Sequence, residues 1–216
     1  MALASISKKF FLALTGLGLC LFVTLHLIGN LALFAPASSG VYNRYGDLLR
    51  TSPLLIPAEI GLAAAFLAHL GLAVWITVEN RRARRFGNAE VQSAGERTLA
   101  SSTMIYSGGT ILVFLVLHLA AFRIPEHPLD AAGRADLRRA VYEHLARPDA
   151  AIGYVVAASV LGLHLRHALQ SALRTLGLYS AGRWRYVDGM SIAFGLLIAA
   201  GYASIPLWIC FGRPAP

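Results

Sequence analysis

Five long apolar runs divide the chain, and the charged residues collect between them. The runs extend from about Phe10 to Phe34, Leu54 to Val78, Ser102 to Phe122, Ala150 to Leu173 and Met190 to Phe211. A helix rises about 1.5 Å per residue, so roughly 20 residues carry it across the hydrocarbon core of a bilayer. Each run is long enough, and the pattern predicts an all-α integral membrane bundle of five transmembrane helices in a single domain, residues 1–216. The first run follows Lys8 and Lys9 as a secretory signal would, but it is longer than the roughly 7–15 residues of a signal core and carries His26 and Asn30. It is expected to be a retained helix. Between the third and fourth runs, Ile124-Pro125-Glu126-His127-Pro128 predicts an extended turn. Residues Leu129 to Leu145 then place apolar side chains at helical spacing, which predicts a short amphipathic helix at the membrane surface. The connection after the first run contains Tyr42-Asn43-Arg44-Tyr45-Gly46-Asp47 and ends at Ser52-Pro53; it is expected to be a loop.

Composition agrees. Of 216 residues 56% are hydrophobic and 14% charged, which excludes an ordinary soluble domain. The net charge of +8 does not point to nucleic acid, because the basic residues lie in the connections, where they report topology. One side would carry Lys8, Lys9, Arg81, Arg82, Arg84, Arg85, Arg97, Arg174, Arg183 and Arg185; the other Arg44, Arg50, the arginines between Arg123 and Arg147, and Arg213. Arg81 to Arg85 sit directly at a helix end, whereas the opposite long connection alternates arginine with Asp130, Asp136, Glu143 and Asp149. The N-terminus is therefore expected in the cytoplasm, and the protein in the cytoplasmic (inner) membrane as a multi-pass chain surrounded by lipid. Cys20 and Cys210 fall inside apolar runs without a spacing motif, so neither a disulfide framework nor a CxxC metal site is indicated.

Histidines change this picture most. His26 falls in the first run, His69 in the second, His118 in the third, and His164 with His167 in the fourth. Ionisable side chains are costly in a bilayer and mark functional positions by default, although one alone can serve as a hydrogen bond between helices. Haem b with two axial ligands needs one imidazole on each face of the porphyrin at a common depth. His26 and His118 each lie 16 residues beyond the inner ends of their helices, near Phe10 and Ser102, or roughly 24 Å deep. His69 and His164 each lie ten residues back from Glu79 and Arg174, or roughly 15 Å deep. The two depths predict two haem b groups, an outer one between His26 and His118 and an inner one between His69 and His164. Each imidazole would bind iron through one ring nitrogen while the other donates to a carbonyl or hydroxyl that sets its orientation. Filling both axial positions suits electron transfer rather than oxygen binding.

Other residues are candidates around this framework. His167 is one turn beyond His164 and could replace it, but it is closer to the cytoplasm by about 4.5 Å and matches His69 less well. It is assigned to a propionate contact or to the neighbourhood of the ligand. Arg166, a cation inside the fourth run, has a haem propionate as its natural partner, with a solvated cavity as the alternative. Glu59, near the outer end of the second helix, either exchanges protons with a quinone close to the outer haem or makes a structural contact. Glycines such as Gly16, Gly18, Gly61, Gly71, Gly108 and Gly162 would let a flat macrocycle or another helix approach closely. Ser101, Ser102, Thr103 and Tyr106 begin the third helix, while Trp184 and Tyr186 precede the fifth as interface anchors. His127 and His144, in the outer connection, are expected at the surface.

The segments Leu25-His26-Leu27-Ile28-Gly29-Asn30, Ala68-His69-Leu70-Gly71-Leu72, Leu117-His118-Leu119 and Gly162-Leu163-His164-Leu165-Arg166-His167, followed by Gln170-Ser171 and Thr175-Leu176-Gly177, resemble the di-haem cytochrome b membrane subunit of succinate dehydrogenases and fumarate reductases. The Tyr42-Asn43 connection and the Arg50-Thr51-Ser52-Pro53 turn are similar to that family too, so the likeness spans nearly all of the chain. It implies a five-helix anchor with two haems in the pairing above and His164 as the fourth ligand. It also implies a flavoprotein subunit that interconverts succinate and fumarate and an iron–sulfur subunit on the cytoplasmic face. Electrons would pass through the inner and then the outer haem to a membrane quinone, usually menaquinone, and the anchor itself would not touch succinate. Some fumarate reductases of this family have a glutamate two residues before the fourth ligand, on a proton route; this chain has Gly162, which argues against that route. Two other readings stand beside this one: a di-haem cytochrome b serving another quinone-linked dehydrogenase, and a transporter whose histidines relay protons or bind metal. The duplicated halves and broken helices common in transporters are not seen in the sequence.

Overall fold

The computed structural model describes residues 2–85, 99–178 and 184–212, with side chains over 6–82, 103–178 and 184–212. Arg97, Arg183 and Arg213 lie outside the described residues, as do the side chains of Arg84, Arg85, Ser101 and Ser102. Among the described residues the fold is all-helical, with α1 (Ala2–Asn30), α2 (Val41–Thr51), α3 (Leu55–Arg85), α4 (Leu99–Phe122), α5 (Leu137–Leu145), α6 (Pro148–Thr175) and α7 (Trp184–Gly212). Five of these, α1, α3, α4, α6 and α7, are long and apolar enough to cross a membrane. Large apolar side chains along them stay exposed, among them Leu21, Ile60, Leu67, Val113, Leu163 and Leu197. Contiguous apolar surface on that scale is foreign to a water-facing protein and suits one whose solvent is lipid.

The long helices outrun their apolar runs at the end of the bundle that carries the N-terminus. Helix α1 begins at Ala2 rather than near Phe10, α3 continues to Arg85, and α7 starts at Trp184, so Trp184 and Tyr186 lie inside α7 instead of before it. Tertiary contacts reward the extra turns. Lys8 of α1 pairs with Glu79 of α3 at 2.6 Å and lies over the Trp75 ring, whose Nε1 donates to the same carboxylate.

Cross-helix contacts fix the directions. Lys8 meets Glu79, so α1 and α3 are antiparallel; Ser107 meets His164 while His118 meets Tyr154, so α4 and α6 are antiparallel as well. Helix α6 is the hub, packing against α1, α4 and most extensively α7. The α6–α7 crossing turns on two glycines. A Cβ on Gly162 would meet the Gly195 carbonyl oxygen at 2.5 Å and the Ala199 Cβ at 2.6 Å, so only glycine lets the backbones approach this far. Helices α3 and α4 sit on opposite flanks and touch each other little.

At the far end, two short helices replace what the sequence suggested. Residues 41–51, expected as loop, form α2: Ala35 takes the extended backbone that precedes Pro36, and Gly40, at φ 59°, turns the chain into the new helix. The surface helix expected over Leu129–Leu145 exists only from Leu137. Before it, the Asp130 carboxylate accepts from the backbone N–H groups of Ala132 and Arg134, and Gly133 at φ 73° completes a turn that stops any earlier helix. Asp136 then caps α5 by accepting from the Arg139 N–H. The two short helices are pinned together by Asn43, which donates to Asp136 at 2.8 Å and accepts from the Arg138 N–H at 2.9 Å. Arg138 reaches the carbonyls of Leu33 and Ala35 beyond α1, closing the end of that helix.

Candidate functional site

Four helices, α1, α3, α4 and α6, carry the four predicted ligands, and the structure groups them two by two. Towards the far end, the rings of His26 and His118 lie 6.0 Å apart, centroid to centroid, and perpendicular at 89°. Nearer the N-terminal end, His69 and His164 sit within electrostatic range of each other. These are the same partners that the depth estimate groups together. All four side chains are half-buried among apolar residues.

The far pair stands in an aromatic enclosure. Phe22 stacks on His26 and Phe114 on His118, while Phe122 and Tyr154 meet His118 at an angle. The Tyr154 hydroxyl is 3.1 Å from Nδ1 of His118. Tyr202 of α7 lies beside His26 and donates to the Val23 carbonyl at 2.7 Å, tying α7 to α1 one turn before His26. Asn30 donates to the His26 carbonyl and accepts from Tyr42 of α2, so the end of α1 is held from both sides.

The near pair is held differently, by small hydroxyl residues. Thr15 Oγ1 lies 3.3 Å from Nδ1 of His69, and Ser107 Oγ lies 2.9 Å from Nδ1 of His164. Gly16 and Gly108 face these rings: a Cβ would stand 3.2 Å from His69 and 3.6 Å from His164. Gly162, by contrast, serves the crossing with α7 rather than an approach to either pair, and a longer side chain there has no room.

Arg166, assigned from sequence to a propionate, has Asp188 of α7 at 3.7 Å, too long for a hydrogen bond but close enough for an ion pair. Gln170 donates to the same carboxylate oxygen at 3.2 Å, and His167 lies within electrostatic range of both Arg166 and Asp188. Asp188 was not singled out in the sequence, although a carboxylate within the first turns of an apolar helix is itself a signal. Glu59 accepts two hydrogen bonds from Arg123, at 3.0 and 3.1 Å, so at this acid the structural contact is the one seen.

His144 was expected at the surface, yet α5 lays it against Phe122 and Tyr154, with ring centroids 4.9 and 5.7 Å away, and within electrostatic range of His118. Only the helical phase of α5, with Tyr142 and Leu145 buried beside it, could have revealed this from sequence. Burial, together with the neighbouring Arg147, holds the His144 imidazole below its ordinary range, so it is neutral at pH 7.

Two imidazoles that share one metal at about 2 Å per bond have ring centroids roughly 6 Å apart. The separation of His26 and His118 fits that requirement, and perpendicular ring planes can both contain the axis through a shared metal. Imidazoles in apolar surroundings, three of the four with Nδ1 beside a hydroxyl, are a donor set that would suit haem iron. Among the described residues no three histidine, cysteine or acidic side chains converge into a cage for a bare metal ion. Compared with protein families, curated proteins and solved structures, the chain has no match.

Proposed function

We propose that this chain is the di-haem cytochrome b anchor of a succinate:quinone oxidoreductase, embedded in the cytoplasmic membrane by five spans with its N-terminus in the cytoplasm. The observation that carries the reading is the pairing of four histidines from four apolar helices, with the far pair at a 6.0 Å spacing that accommodates one shared iron. His26 and His118 would hold one haem b, and His69 and His164 the other. When bound, haem b supplies a one-electron couple, and two imidazole ligands leave it no open position for dioxygen.

The remaining work falls to the protein. Phe22, Phe114, Phe122 and Tyr154 exclude water from the far pair, and Thr15 and Ser107 orient the near pair. Arg166 offers positive charge on the N-terminal side, suited to a propionate, with His167 beside it and Asp188 balancing the charge. The partners in this reading are an iron–sulfur subunit on the cytoplasmic face, a flavoprotein that handles succinate, and a membrane quinone such as menaquinone. These rest on the resemblance of the histidine segments to the succinate dehydrogenase and fumarate reductase anchors.

A reduced-minus-oxidised spectrum of the purified chain, with a pyridine haemochrome count, is the test. Two haems b per chain are expected. No haem would end the reading, and one would refute the double pairing. Purification with a flavoprotein that oxidises succinate is expected for the complex; a hydrogenase or formate dehydrogenase in its place would favour a different quinone-linked assembly.

A further inference from the structure

We infer that Thr15, Ser107 and Tyr154 are positioning residues, each fixing the ring orientation and electron-donating strength of one imidazole. The inference rests on the di-haem reading and extends it to residues that the sequence did not assign.

A hydroxyl has one proton to give. Thr15 Oγ1 gives its proton to carbonyls one turn back on its own helix, at 2.8 Å to Phe11 and 3.1 Å to Leu12. At its contact with His69 the oxygen then accepts and Nδ1 carries the proton, a tautomer that the Leu12 carbonyl facing the same imidazole also favours. Ser107 repeats the arrangement: it donates to the Met104 carbonyl at 3.1 Å and accepts from Nδ1 of His164 at 2.9 Å. Both imidazoles are thereby held in the tautomer that leaves Nε2 with a free lone pair, the form that binds a metal.

Tyr154 faces His118 in the same way, its phenol oxygen 3.1 Å from Nδ1. Were Nε2 of His118 to hold iron, Nδ1–H would be the donor and the phenol oxygen the acceptor. A phenol oxygen shares its lone pair with the ring and accepts less strongly than an alkyl hydroxyl. Acceptance at Nδ1–H makes an imidazole a stronger donor to its metal, which favours the ferric state. The contacts are also reciprocal across one helix pair, since Ser107 of α4 holds His164 of α6 while Tyr154 of α6 holds His118 of α4.

The test uses redox titration and the low-spin ferric resonance of the purified complex, read for each haem. Thr15→Val and Ser107→Ala should raise the midpoint potential of one and the same haem, the one that His69→Ala removes, and leave the other in place. Tyr154→Phe should raise only the other. Thr15→Ser and Ser107→Thr, which keep the hydroxyl, should restore the original values. Loss of the predicted haem alone in any variant also supports the assignment. Two haems with unmoved potentials and resonances would overturn it, as would equal shifts of both haems in every variant. Absence of haem from the unaltered chain would instead count against the di-haem reading itself.

Discussion

The two histidine pairs sit in one bundle but are built by different means. The near pair is made almost wholly from the long helices: a threonine and a serine one helix away orient the rings, and glycines face them. The far pair borrows from the short helices. Its enclosure is completed by His144 of α5, and the end of α1 above His26 is held by Tyr42 of α2 and Arg138 of α5. A site made from transmembrane helices alone inherits their rigidity, because each backbone hydrogen bond is satisfied within the helix. A site closed by surface helices depends on polar contacts at the water boundary.

Removing a ligand should split the pairs most sharply. His118→Ala is expected to reduce the haem count from two per chain to one, and the spectrum that remains should be the one lost in His164→Ala. If either variant loses both haems, the sites are not separable and the contrast between them fails. Gly162→Leu should act on both alike. Its side chain meets the Gly195 carbonyl and Ala199, and overpacking of this kind costs about 1–3 kcal/mol. Since α6 carries both His164 and Tyr154, the temperature at which haem is released should fall for both sites together, followed by Soret absorbance on heating. Arg138→Met should act on one end only. It leaves the Leu33 and Ala35 carbonyls without their guanidinium donor, a loss of about 1–3 kcal/mol where such groups are buried. Faster amide exchange confined to α2, α5 and the end of α1 is the expected readout, with the near haem unchanged.

The sequence discloses the two regions unequally, for a physical reason. The five long helices and the grouping of His26 with His118 and His69 with His164 follow from run length and rise per residue, quantities local to each helix. Helix ends are harder to read, because the Lys8–Glu79 pair supports the extension of α1 and α3 through a contact that hydropathy does not register. The short helices are harder still. Helix α2 has only eleven residues in a stretch whose composition reads as loop, and the helical spacing of 129–136 is overridden by the Asp130 turn. His144 and Asp188 escaped because their importance lies in what they touch across the bundle. Glu59 had two readings, and only its bidentate contact with Arg123 distinguishes the structural one.

The gentlest probe of the contrast is acid. His144 is held below its ordinary value near 6.5 by burial first and by Arg147 second, with Asp149 opposing. Tyr154 of α6 and His118 of α4 face it from the bundle. An unfolded His144 takes up a proton as pH falls through about 6.5, whereas the docked one resists until lower pH. Between those two values the undocked state binds more protons, so the docking of α5 is fully present above about 6.5 and weakens as pH falls. Lowering pH from 7.5 to 5.5 should therefore loosen the far end before the near end, read as faster amide exchange in α5 and a shift in the far haem spectrum alone. His144→Phe keeps the edge-on ring contacts with Phe122 and Tyr154 without the titrating nitrogen, and should remove most of that acid response. If the response persists undiminished in that variant, the acid sensitivity belongs to another group, and the far site owes its enclosure to packing alone.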